Sequence, residues 1–155
     1  MISGSRETIR VTKVFTFEMA HALYGHDGPC KNIHGHSYKL SVTIKGKALQ
    51  ENGHPKDGMI IDFSDLKAIV NDLIIQQYDH ALVLPEVARN KATDSLLDHY
   101  QRVLFMPFQP SCENLLIDFK NKLAPHLSQK SYTLQSLRLD ETATSYAEWH
   151  LNDNC

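Results

Sequence analysis

The chain has 155 residues, and its 16 basic and 18 acidic side chains leave a formal charge of -2, without the cationic surplus that binding a phosphate backbone requires. That length suits a single domain over residues 1–155 with a core that needs no disulfide support, and no run of about 18 apolar residues offers a membrane-spanning helix. Cys30, Cys112 and Cys155 are odd in number and irregularly spaced, and MISGSRETIRV lacks the succession of a secretory signal, so the expectation is a soluble cytoplasmic protein with free thiols.

In residues 11–19, Val11, Phe15, Phe17 and Met19 share one parity, while Thr12, Thr16 and Glu18 take the other. This period of two marks a half-buried strand. Residues 36–45 alternate more cleanly, with Tyr38, Leu40, Val42 and Ile44 between polar neighbours, and predict a second strand. ENGHPKDG (51–58) concentrates turn residues, and the apolar MII (59–61) after it reads as a brief return of the sheet.

Residues 64–78 carry Leu66, Ile69, Val70, Leu73 and Ile74 at helical spacing, with Asp62 or Ser64 as N-cap. Residues 112–123 predict a second helix, capped by Ser111, buried through Leu115, Leu116, Phe119 and Leu123, and stopped by Pro125. Within 85–108, a stretch that reads as an insertion, residues 95–104 predict a short extra helix. Leu137 and Leu139 among polar neighbours give a third strand, and residues 145–150 a fourth. The expected fold is therefore α+β: an antiparallel four-stranded sheet in the order ββααββ, with both helices on one face.

Nine histidines are a high share for this length, and imidazole is the commonest metal ligand. His21 has the parity of Phe15, Phe17 and Met19; His34 and His36 have that of Leu40, Val42 and Ile44. If the first two strands pair as a hairpin, all three rings meet on the apolar face at one end of the sheet. Three imidazoles suit zinc and leave a fourth position open, as catalytic sites do. The plain alternative makes His-Gly-His a turn and His21 a satisfied core residue. Against it, burying three rings together without partners costs roughly 1–3 kcal/mol for each unsatisfied group.

The connection ALYGHDGPCKNI (22–33) places Cys30 four residues before His34. A thiol over a cation becomes a base or nucleophile, or else a fourth ligand, and the spacing leaves both open; His26 in the same loop reads as a surface residue. Asp79 precedes His80 directly, so the carboxylate either orients the ring or diverges from it. Glu141 shares the parity of Leu137 and Leu139. It is either a solvated strand-end acid or a partner for a ligand with adjacent N–H donors.

FTFEMAHAL (15–23), CKNIHGHSYKL (30–40), GMIIDFSDLK (58–67), YDHALVL (78–84), PSCENL (110–115) and LDETATSYAEW (139–149) together resemble the 6-pyruvoyl-tetrahydropterin synthase / 6-carboxy-tetrahydropterin synthase family. The resemblance implies a T-fold whose subunits join their sheets into a barrel, typically as a homohexamer of two trimers with active sites at subunit interfaces. It implies one zinc ion per subunit on His21, His34 and His36, and Cys30 as catalytic proton acceptor with Asp79 and His80 as relay partners. Glu141 then anchors a pterin substrate, with Ser111 and Glu113 lining its site; Ser111 stands where the family usually has Thr.

The implied activity is that of a carbon-carbon lyase acting on 7,8-dihydroneopterin triphosphate. One branch, in queuosine precursor biosynthesis, gives 6-carboxy-5,6,7,8-tetrahydropterin, acetaldehyde and triphosphate. The other keeps the side chain as 6-pyruvoyl. The three residues between Cys30 and His34 resemble the first branch. The remaining alternative is a zinc- or pterin-binding protein that does no chemistry.

Overall fold

Two 13-residue strands, β1 (Ile9–His21) and β2 (His34–Gly46), form a long antiparallel hairpin in unbroken register from Ile9 opposite Gly46 to His21 opposite His34. The computed structural model describes residues 7–155. One face of the hairpin buries Phe15, Phe17, Met19, Tyr38, Leu40, Val42 and Ile44. The other is polar and carries cross-strand contacts such as Thr12 Oγ1 to Thr43 Oγ1 at 2.8 Å. Alternation along each strand thus becomes a core face and a wet face.

Strand β3 (Ala81–Pro85) lies parallel to the end of β1, and β4 (Val103–Met106) lies parallel to β3. On the other side β5 (Tyr132–Thr142) pairs antiparallel with β2, and β6 (Ser145–His150) with β5. Among the described residues the sheet is six-stranded and mixed, in the order β4-β3-β1-β2-β5-β6. The α+β class stands, but the expected four-stranded antiparallel sheet is corrected by two strands. ALVLP was illegible because it is covered on both faces: Val83 joins the main core, whereas Leu84 packs with Ala22 and Val103 in a second cluster. A strand buried on both sides shows no alternation.

Two further expectations are corrected. Residues 59–61 form no strand; Gly58, at φ 81°, turns the chain so that Leu49 donates to the Met59 carbonyl and accepts from Gly58 N–H. Instead of a helix over 95–104 there is one helical turn, Lys91–Asp94, capped by Asn90, then a 3-10 turn, Ser95–Asp98. The segment 85–108 therefore contributes β4 and extends the edge of the sheet.

Helix α1 (Phe63–Val70) continues through a π-turn, Asn71–Ile75, into a last turn, Gln76–Tyr78. Asp62 caps it, accepting from Ser64 N–H and Ser64 Oγ, and pairs with Lys56. Leu66, Val70, Ile74 and Tyr78 are fully buried at intervals of four. In a pure α-helix such spacing drifts by about 40° per step, and the wider π-turn takes up the drift. Helix α2 (Cys112–Leu123) starts on Ser111, whose hydroxyl accepts from Asn114 N–H, and buries Leu115, Leu116, Phe119 and Leu123.

Both helices pack on the core face of the sheet. Phe119 meets Phe17 and Tyr78 edge-on at 6.0 and 5.0 Å, and Phe17 stacks on Tyr38 at 5.1 Å. Each such ring contributes roughly 1.5–3 kcal/mol by leaving water. Among the described residues no helix is long and apolar enough to cross a membrane.

Candidate metal centre and active site

The hairpin register puts His21, the last residue of β1, opposite His34, the first of β2, and His36 follows on the same face. Their ring centroids lie 4.6 to 5.2 Å apart, and one ligand atom from each falls within 4.8 Å of the others. Among the described residues these three form the converging set; Cys30 is not a member.

Hydrogen bonds at the outer nitrogens fix the chemistry of the inner ones. His21 Nδ1 lies 2.7 Å from the Pro110 carbonyl, and His34 Nδ1 lies 2.7 Å from the Asn32 carbonyl. A carbonyl oxygen only accepts, so each Nδ1 carries the proton and each neutral ring turns a bare Nε2 lone pair inward. Those two Nε2 atoms stand 3.1 Å apart. His36 Nε2 is buried with no hydrogen-bond partner, and its nearest charge is Glu141 Oε1 at 3.7 Å.

Two lone pairs face to face and an orphaned third nitrogen are unfavourable without a cation. A proton is a poor candidate, because burial pushes the His21 imidazole below its ordinary value despite the opposing pull of the Pro110 carbonyl. The donor set fits a metal ion: three imidazoles converge, and those of His21 and His34 are oriented from behind by backbone carbonyls. Tyr38 closes the floor, fully buried, with its hydroxyl 3.5 Å from His21 Nδ1, and burial raises its phenol well above the ordinary range.

The loop from residue 22 to 33 is closed by Leu23 N–H donating to the Cys30 carbonyl at 2.9 Å, and Cys30 sits half-buried in the 3-10 turn Pro29–Lys31. Asn32, which orients His34, lies two residues further on, so the thiol and the carbonyl that orients His34 share one loop. His26 is a surface residue whose ring accepts from Gly28 N–H.

Asp79 and His80 do form a pair. Asp79 Oδ1 is 3.0 Å from His80 Nδ1 and also accepts from Glu18 N–H at 2.9 Å. His80 N–H returns to the Glu18 carbonyl at 2.6 Å, and His80 holds φ 62°, a left-handed conformation that costs about 1–3 kcal/mol in a residue with a side chain. Its ring is 75% exposed. It stands between a hollow of about 330 Å³ rimmed by Glu18, His36 and Ser37 and a larger one of about 790 Å³ rimmed by Ile33, Leu96, Tyr100 and Arg102.

Glu141 ends the inner face of β5 and is about one quarter exposed. With Ser111, Glu113, Cys112 and Tyr146 it lines a separate hollow of about 190 Å³. The Cys112 Sγ lies 3.3 Å from the Leu139 carbonyl, and burial, helped by Glu141, pushes the thiol up to about 12. Within one chain, then, Glu141, Ser111 and Glu113 line one hollow, whereas His80, paired with Asp79, lines two others, one of them shared with His36.

Sequence reasoning missed the carbonyls of Pro110 and Asn32, the backbone of Glu18, and Tyr38. The carbonyls leave no trace in residue type, whereas Tyr38 was visible two residues after His36 on the same face.

A sequence model of the 6-pyruvoyl tetrahydropterin synthase family matches residues 10–151. A Haemophilus influenzae protein named 6-carboxy-5,6,7,8-tetrahydropterin synthase is 40% identical over 142 residues, covering 90% of this chain and 97% of its own. A Rickettsia typhi protein of the same name is 32% identical, covering 90% and 99%. Among solved structures, an uncharacterized Wolinella succinogenes protein superposes with a TM-score of 0.74 at 16% identity, covering 94% of this chain and 99% of that one. The Caenorhabditis elegans 6-pyruvoyl tetrahydropterin synthase gives 0.65 at 22% identity, covering 93% and 96%. At those identities the structures speak for the fold alone; the sequence matches carry the assignment, and the chain belongs to the 6-pyruvoyl tetrahydropterin synthase family.

Proposed function

We propose that this protein is a zinc-dependent lyase that converts 7,8-dihydroneopterin triphosphate and water to 6-carboxy-5,6,7,8-tetrahydropterin, acetaldehyde and triphosphate. The observation that carries the reading is the set of three inward imidazoles, one with an orphaned Nε2, in a chain whose relatives of 40% and 32% identity bear the 6-carboxy name. Nε2 of His21, His34 and His36 would hold the ion. The chemistry it supplies is Lewis-acid polarisation of the oxygens on the substrate side chain.

The chain's own residues do the rest. Glu141 accepts the adjacent N–H donors of the aminopyrimidine edge, and Ser111 and Glu113 line the hollow beside it. The carboxylate of Asp79 orients His80 through Nδ1 and leaves Nε2 to exchange protons with substrate. Cys30 takes the proton that starts the rearrangement, as a base. That Glu141, Ser111 and Glu113 line one hollow while His80 lines others supports an oligomer, a homohexamer, in which neighbouring subunits complete each site.

Mass spectrometry of products from dihydroneopterin triphosphate and the zinc-loaded protein tests the reading. The expected products are the 6-carboxy pterin and acetaldehyde. A 6-pyruvoyl product without acetaldehyde would assign the chain to the other branch, and unchanged substrate would leave a binding protein.

A further inference from the structure

The turn that presents Asp79 and His80 is held through its N–H groups, Asp79 donating to the Ile75 carbonyl and His80 to the Glu18 carbonyl. Helix α1 ends at Tyr78, Asp79 is extended, and His80 is left-handed, so the last carbonyls of the helix lack the donors a further turn would have supplied. Two of the carbonyls at this end are instead taken by one side chain from the far edge of the sheet. Arg102 Nη1 donates to the Gln76 carbonyl at 2.7 Å and to the Asp79 carbonyl at 2.7 Å, using both of its hydrogens. The carbonyl of Arg102 accepts from Leu82 N–H at 2.8 Å, one residue into β3. A single residue thus ties the end of α1, the strained turn and the start of β3 together.

We propose that Arg102 is a positioning residue for the Asp79–His80 pair, an inference that rests on the proton-transfer role assigned to that pair above. Its guanidinium fixes the peptide on either side of the turn so that the Asp79 carboxylate stays between Glu18 N–H and His80 Nδ1. A left-handed residue persists only where its surroundings over-determine it. Here the determinants are the Glu18 backbone on one side and Arg102 on the other. The planar, permanently charged fork of arginine reaches both carbonyls at once; a lysine ammonium on a flexible stem is a point donor. This gives the segment 85–108 a task in the reaction beyond lengthening the sheet.

The test compares Arg102→Ala and Arg102→Lys with Asp79→Asn and His80→Ala, in the zinc-loaded full-length protein, by steady-state kinetics on dihydroneopterin triphosphate and by amide hydrogen exchange at His80. A displaced relay lowers kcat by about tenfold to a hundredfold while KM and zinc content hold. Arg102→Lys restores part of the rate, and exchange at His80 N–H quickens in Arg102→Ala. Unchanged kcat in Arg102→Ala beside a collapsed His80→Ala would overturn the proposal, as would a rise in KM alone, which would make Arg102 a substrate ligand. Should Arg102→Ala not fold, Arg102→Lys with native exchange at His80 and native kcat overturns it equally. If Asp79→Asn and His80→Ala turn over normally, the relay reading itself fails, and the exchange rates still report whether Arg102 orders the turn.

Discussion

His21 and His34 face each other across the end of the β1–β2 hairpin with Nε2 atoms 3.1 Å apart and both Nδ1 atoms anchored on backbone carbonyls. The anchors leave the inner lone pairs no partner but a cation. Replacing His34 by alanine removes one ligand and frees the Asn32 carbonyl, so metal content is expected to fall from about one ion per chain to a small fraction of that, measured by elemental analysis after dialysis. A metal that binds only the folded state adds about 2.7 kcal/mol at a hundred times its Kd. Zinc should therefore raise the melting temperature of the wild type and leave that of His34→Ala nearly unchanged.

The metal-free protein should be acid-sensitive for the same reason. Burial, the largest influence on His21, lowers its imidazole below the ordinary value near 6.5. The unfolded chain therefore takes up this proton at a higher pH than the folded chain does. The stability gained from keeping His21 neutral is complete above about 6.5 and is lost as pH falls through the lower folded value. Urea titrations of chelator-treated protein at pH 7.5 and 5.5 are expected to show a lower midpoint at 5.5. His21→Asn should flatten the difference.

What the residue pattern revealed and what it hid follow from where information resides. The hairpin and the face of its histidines were readable because a half-buried strand alternates, and alternation assigns each imidazole a side. The bounds of α2 were readable from Ser111 and Pro125, which act locally. Strand β3 was not, since Val83 and Leu84 are both buried on opposite faces and the run looks uniformly apolar. Nor were the groups that orient the site: the carbonyls of Pro110 and Asn32 belong to every residue type, and Arg102 reaches the Asp79 turn from a distance that only the parallel pairing of β3 and β4 closes.

Cys30 lies outside the converging set yet on the loop that orients His34. The proposed role of Cys30 as a base makes the thiol dispensable for metal binding. Cys30→Ala should keep about one zinc ion per chain while turnover falls by roughly a hundredfold to ten-thousandfold, the usual worth of a positioned proton acceptor. Loss of zinc together with the thiol would make Cys30 a ligand and would remove it from the relay. Parallel elemental analysis and rate measurement on one preparation separate the two.

Glu141 lies 3.7 Å from His36 Nε2 and on the hollow shared with Ser111 and Glu113, next to both the candidate metal ligands and the proposed pterin site. A carboxylate there accepts two N–H donors side by side, whereas an amide offers one acceptor and one donor and so mismatches an aminopyrimidine edge. Losing a hydrogen bond of this charged kind costs about 1.5–3 kcal/mol. Glu141→Gln is therefore expected to lower kcat/KM by roughly tenfold to a hundredfold, mostly through KM, with zinc retained by the three imidazoles. Calorimetric titration with a non-reacting pterin should show the same loss in affinity. An unchanged Kd would place the pterin elsewhere and leave Glu141 as an electrostatic neighbour of His36.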